Sequence, residues 1–120
     1  QIMDQILSLP DGSRLILLAP VISGKKGEHK QELSRLRKMG YIRARVDGTI
    51  VDLDQDITLD RYKQHTIEAV VDRLVLKEGI ARRLRDSLET CLELSGGIIR
   101  VLIDREEEMV FSEKLACIHC

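Results

Sequence analysis

Residues Tyr41–Leu53 read YIRARVDGTIVDL. Ile42, Ala44 and Val46 alternate with Tyr41, Arg43, Arg45 and Asp47. A period of two is the pattern of a β-strand with one packed face. Asp47-Gly48 follows as a two-residue hairpin signal, because a type I′ turn needs positive φ at both central positions. Thr49–Leu53, β-branched and apolar, supplies the return strand. The stretch therefore predicts a β-hairpin with Ile42, Ala44 and Val46 inward and Arg43 and Arg45 together on the other face. That face is either an ordinary solvated one or a basic ribbon suited to docking an acidic surface.

Upstream, Glu28–Met39 is predicted as a helix with Leu33, Leu36 and His29 inward, and Gly40 supplies its left-handed stop. Ser23–Gly27, SGKKG, reads as a flexible basic loop. Arg14–Val21 is nearly all apolar, the pattern of a buried strand. Gln1–Leu9 has helical spacing and ends at Pro10-Asp11-Gly12. Downstream, Asp54–Lys63 is polar and acidic and reads as a surface loop. His65–Leu76, HTIEAVVDRLVL, is the longest strand candidate. Ile67, Ala69, Val71 and Val75 share one face; Val70, Leu74 and Leu76 share the other. Asp72 and Arg73 interrupt it. Arg73 falls on the phase of Ile67 and Ala69, so it lies at the rim, on a bulge or in an ion pair. Ile80–Leu94 carries an apolar stripe of Ile80, Leu84, Leu88, Cys91 and Leu92, with its arginines outward. Ser95-Gly96-Gly97 stops it. Ile98–Asp104 and Met109–Ser112 read as two last strands joined by an acidic turn at Glu106–Glu108. This order predicts an α+β fold: a mixed open β-sheet with about three helices in a single domain.

With 120 residues, 43% hydrophobic and 32% charged, the chain can build one core. Its net charge of −1 weighs against nucleic-acid binding through bulk charge. Aromatics at 2% leave no stacking platform. Neither a membrane span nor a secretory segment stands out, and three cysteines form an odd set, so a reducing cytoplasm is expected. Cys91, on the helix stripe, is expected to be a buried thiol. Cys117 and Cys120 form C-x-x-C around His119. They are either half of a zinc site completed elsewhere or an incidental pair. The chain reads as a piece of a larger protein.

Two strings imitate nucleotide chemistry. Gly24-Lys25-Lys26-Gly27 contains Gly-Lys but has no Ser or Thr after Lys25 and no upstream glycine, so it is no phosphate loop. Leu94-Ser95-Gly96-Gly97 matches the LSGG string of ABC-type ATPases. There the glycines open a helix toward phosphate, whereas here they close one. No catalytic constellation is present: there is no HExxH, no GxSxG, and the histidines are scattered.

Five strings taken together carry a resemblance: LILLAPVISGKKGEHK, LRKMGYIRARVDGTIVDL, HTIEAVVDRLVL, DSLETCLELSGG and FSEKLACIHC. In this order and spacing they resemble the UvrB-binding domain of the A subunit of the bacterial nucleotide excision-repair nuclease, UvrA. The resemblance implies that residues 1–112 are the interaction domain and 113–120 the start of a zinc-binding module. It implies a parent that is an ABC-type ATPase, recognises damaged DNA as a homodimer and loads UvrB. ATP and zinc would then belong to the parent, and this chain would be neither an enzyme nor a membrane protein. The family's partner-contacting arginines fall on Arg43, in YIRAR, and on Arg73, in AVVDR. Arg45, Lys25 and Lys26 are further partner-binding candidates by charge and location, and Cys117 and Cys120 are the partial metal site. The rival expectation is an accessory DNA-contacting domain using the basic loop and the hairpin.

Overall fold

A computed structural model describes residues 2–113. Its elements are α1 (Ile2–Leu7), β1 (Arg14–Lys26), α2 (Lys30–Lys38), β2 (Arg43–Val46), β3 (Thr49–Asp52), β4 (Gln64–Val75), α3 (Ala81–Ser95), β5 (Ile98–Ile103) and β6 (Glu107–Ser112). Hydrogen bonding orders the strands β3-β2-β4-β1-β5-β6 in one open antiparallel sheet. The α+β class, the open sheet and the three helices are as the sequence predicts, but the sheet is antiparallel rather than mixed. The chain divides into two compact units, Pro20–Val70 and the remainder, and β1 and β4 each contribute residues to both.

In the Pro20–Val70 unit the Asp47-Gly48 signal is met directly: φ is 50° at Asp47 and 88° at Gly48. The turn closes β2 on β3 with Ala44 opposite Val51 and Arg45 opposite Ile50. On its other edge β2 pairs with β4, placing Ala44 opposite Ala69 and Val46 opposite Ile67. Residues directly opposite share a face, and these four are buried, as are Leu33 and Leu36 of α2. Gly40 follows α2 with φ 98°, the expected left-handed stop.

Three expectations change here. Ile42 is 68% exposed rather than packed, because the ladder begins one residue later and Ile42 contributes only its carbonyl, which accepts the Leu53 N–H. Ser23–Lys26 is the end of β1 rather than a loop, and the Gly24 N–H donates to Thr66 Oγ1 of β4. His29 does not face inward from α2. It sits in front of the helix with φ 52°, and its Nε2 donates to the Lys25 carbonyl.

The other unit contains α1, the first part of β1, the end of β4, α3, β5 and β6. Leu15 and Leu17 face Ile103 and Val101 across the β1–β5 ladder. Together with Leu74, Leu84, Leu88 and Cys91 they form a fully buried cluster. Along β4 the buried apolar positions are odd at Ile67 and Ala69 and even at Leu74, and Glu68 is buried on the face opposite Ile67 and Ala69. Side chains an odd number of residues apart in a regular strand point to opposite faces. The apolar face that β4 buries therefore changes along the strand, and Val75, read as inward from the sequence, is 45% exposed.

α3 stops as expected. Gly96 and Gly97 have φ 77° and 117°, and the Gly97 N–H returns to the Leu92 carbonyl. The LSGG string thus closes a helix and presents carbonyls, not amides, at that end. The last hairpin turns earlier than the acidic run suggested. Asp104 and Arg105 take φ 51° and 59°, the Glu106 N–H donates to the Ile103 carbonyl, and Glu107 and Glu108 are already in β6.

Cys91 is fully buried in α3, and burial, with the negative charge of Asp72 adding to it, pushes its thiol up to about 12. A thiol without accessible thiolate is a poor nucleophile. Under native conditions at neutral pH, Cys91 should resist iodoacetamide and react fully in denaturant. Peptide mass spectrometry separates it from the other two cysteines, and rapid native labelling of Cys91 would contradict its burial.

Candidate protein-docking site

Arg45 departs furthest from the reading of an exposed basic ribbon. It lies directly opposite Glu68 across the β2–β4 ladder. Its Nε donates to Glu68 Oε1 at 2.5 Å and its Nη2 to Oε2 at 2.8 Å, a two-point guanidinium–carboxylate pair. The side chains are 11% and 2% exposed. Glu68 sits in the middle of β4, where a buried carboxylate needs a cation, and Arg45 is that cation. Its neighbour Arg43 behaves differently. It reaches its cross-strand partner Asp52, Nε to Oδ1 at 3.2 Å, with both side chains over 40% exposed. A pair this exposed is screened by water and is worth under about 1 kcal/mol. Its guanidinium can therefore exchange one carboxylate for another.

The tip of the same hairpin is latched. Asp47 Oδ1 accepts the Thr66 N–H, and Asp47 Oδ2 lies 2.6 Å from His65 Nδ1. His65 Nε2 lies 2.7 Å from the Asp60 carbonyl. Neither partner of the ring can donate, so both contacts are made at once only by the imidazolium. The Asp47 hydrogen bond, with the Asp60 carbonyl, accordingly raises the His65 pKa. Burial opposes ionisation of Asp47, but the hydrogen bonds from His65 and Thr66 outweigh it and hold the carboxyl below its usual range.

Arg73 lies in the other unit, near the end of β4. The ion pair that the Asp72-Arg73 dipeptide suggested is made by Asp72 with a different arginine. Asp72 accepts from Arg83 Nε at 3.1 Å and Nη2 at 2.8 Å, from Ser87 Oγ at 2.7 Å and from the Arg73 backbone N–H at 2.8 Å. Burial pushes the Asp72 carboxyl up, yet these donors, Arg83 foremost, leave it below the ordinary value. Arg83 Nη2 also reaches the Arg73 carbonyl at 3.4 Å. The backbone of Arg73 is thus held from both sides. Its side chain is exposed, and among the described residues its guanidinium has no hydrogen bond or ion pair.

Arg73 lines a shallow depression of about 480 Å³ with Arg14, Leu15, Ile16, Leu74, Val75, Asp104 and Arg105. The arginines at positions 14 and 105 and the Arg83 clamp were not singled out in the sequence. Lys25 and Lys26 are exposed at the end of β1, in the other unit. Cys117 and Cys120 lie outside the described residues. Among the described residues no group of three or more His, Cys, Asp or Glu could hold a metal, and no helix is long and apolar enough to cross a membrane.

A family model, the UvrA interaction domain, matches residues 1–105. Over its whole length the chain is similar to the UvrABC system protein A of Bacillus subtilis (strain 168), at 49% identity. Similarity of the same extent is found with the proteins of that name from Clostridium perfringens (strain 13 / Type A), at 48%, and Listeria innocua, at 44%. The chain spans only 12–13% of the length of these relatives.

Two outcomes follow from the hairpin geometry. Glu68→Ala leaves the Arg45 charge buried without its partner, a loss of about 3–5 kcal/mol. Denaturant melts should show this, and a smaller deficit for Glu68→Ala with Arg45→Met than for either change alone. The His65 latch is pH-dependent with a definite sign. Because the folded pKa is raised, its stabilisation is full below about pH 6.5 and is lost as pH rises through the folded value. Asp47, with a lowered pKa, contributes above about pH 4 and fades as pH falls through its folded value. The stability difference between wild type and His65→Gln should therefore be larger at pH 5.5 than at pH 8. A difference that does not change with pH would contradict the charged latch.

Proposed function

The chain belongs to the UvrA interaction domain family, and on that premise we propose that it is a protein-docking module that holds UvrB for loading onto damaged DNA. Supporting this is the state of Arg73: a backbone clamped by Asp72 and Arg83 carries an exposed guanidinium with no partner among the described residues. A rigid mount with a free planar cation suits recognition of a carboxylate on another protein. Arg43 serves in the same way from its own unit, exchanging Asp52 for a partner's acidic group. Arg45 anchors the hairpin that presents Arg43. Lys25 and Lys26 add long-range positive field rather than defined contacts.

Such a polar interface gives orientation, fast association and salt sensitivity more than extreme affinity. That suits a loader that must release its cargo. In the longer protein, a cytoplasmic homodimer, ATP hydrolysis, zinc binding and the principal DNA contacts fall to other segments, and this chain is not itself an enzyme. The rival reading, phosphate contacts by the basic residues of β1 and the hairpin, is weakened by the near-neutral charge and by the commitment of Arg45 to Glu68.

Calorimetric titration of the chain with UvrB, and separately with duplex DNA at two salt concentrations, tests the proposal. Truncating a charge that pairs across a desolvated interface costs about 2–5 kcal/mol, roughly 30-fold or more in affinity. Arg43→Ala and Arg73→Ala should each lose this much UvrB binding with unchanged melting curves. Arg82→Ala, on the outer face of α3, should lose none. If Arg73→Ala unfolds the chain, or if duplex DNA binds more tightly than UvrB, the docking role is wrong.

A further inference from the structure

We propose that Arg14 and Arg105 join Arg73 in a single basic depression that receives an acidic side chain of the docked partner protein. This inference rests on the docking reading above and extends it to two residues and a pocket. Three of the eight lining residues are arginines, and the lining carries one carboxylate, Asp104. That carboxylate is already engaged, because Asp104 Oδ1 accepts the Arg14 N–H at 2.9 Å while the Asp104 N–H donates to the Arg14 carbonyl at 2.8 Å. Among the described residues none of the three guanidinium groups has an ion-pair partner. Three like charges around one hollow repel one another, Asp104 offsets part of that repulsion, and a second carboxylate placed among them offsets more.

The backbone supports the same assignment. Arg105 is held at φ 59°, a conformation that costs an arginine free energy and that glycine adopts freely. Strain of this kind persists where the surroundings hold the backbone in place, and it recurs at functional sites. The Glu106–Ile103 turn bond and the two Asp104–Arg14 bonds do the holding. The floor is firm, since Leu15, Ile16 and Leu74 are all at most 5% exposed. An acidic group seated over this floor would be partly screened from water, where a planar, two-point guanidinium contact is strongest.

Arg105→Gly separates binding from structure. It removes the guanidinium and relieves the strained φ, so the chain should melt at or above the wild-type temperature while binding UvrB at least about tenfold more weakly. Arg14 uses only its backbone to hold Asp104, so Arg14→Gln should keep the wild-type melting curve and lose a similar factor. If Arg14 and Arg73 share one ligand, their losses in affinity should be non-additive in the Arg14→Gln/Arg73→Ala cycle. If Arg14→Gln and Arg105→Gly bind UvrB as wild type does while Arg43→Ala does not, the depression is not a contact and the docking reading survives without it. If the wild-type chain does not bind UvrB at all, the docking reading itself fails. Loss of duplex DNA affinity with UvrB affinity intact would assign the hollow to phosphate and overturn the proposal.

Discussion

Glu68 is a carboxylate in the middle of a strand, with a side chain 2% exposed. Left alone it would be expensive to bury. Arg45 meets it from the adjacent strand at two points, and the pairing is possible in one register only. Shifting β2 by a single residue would turn Arg45 to the other face, strand the Glu68 charge, and turn Ala44 and Val46 outward at the same time. The ion pair and the apolar face therefore specify the same alignment. Such a pair is weak as net stabilisation, because desolvating both ions offsets much of their attraction. It is strong as a penalty against every wrong register, and the position of Arg43 follows from it.

Asp72 has the same role in the other unit. It gathers two contacts from Arg83, one from Ser87 and one from the Arg73 backbone, tying the end of β4 to α3. A strand end is ordinarily a place where the backbone frays. Here the donors converge on the residue just before Arg73 and leave only its side chain unheld. The carboxylates of this protein thus divide by partner. Those with firm partners, Glu68 and Asp72, fix backbone, and an exposed one, Asp52, merely lends its charge to an arginine that can leave it.

On the proposed docking role, the same division would let the chain select a partner despite its small net charge. A basic field would attract any polyanion. Single arginines on rigid mounts, separated by satisfied ion pairs, favour a partner whose carboxylates match their positions. A docked carboxylate would replace contacts that are solvent-screened or absent, so little is lost on either side when the complex dissociates.

By itself the sequence determined most of the elements and the stops set by local turn chemistry, while several strand ends were left to pairing. Alternation in residues 41–53 with Asp47-Gly48 is a hairpin in any context, because only small or turn-forming residues accept positive φ there. The stripe from Ile80 to Leu92 and the glycine pair after it are a helix and its stop for equally local reasons. Which arginine is exposed and which is buried in a pair is not a local property. Arg43 and Arg45 share a strand face and differ only in what stands across from them: exposed Asp52 on one edge of β2, and Glu68, 23 residues further along the chain, on the other. Arg73 was ambiguous until α3 brought Arg83 to Asp72, and Arg14 and Arg105 had no signal until the last hairpin turned at Asp104. Charge becomes structural or available according to which strand lies beside it. That is decided by tertiary pairing, because the free energy of a charged side chain depends on its burial and its partner rather than on its neighbours in sequence.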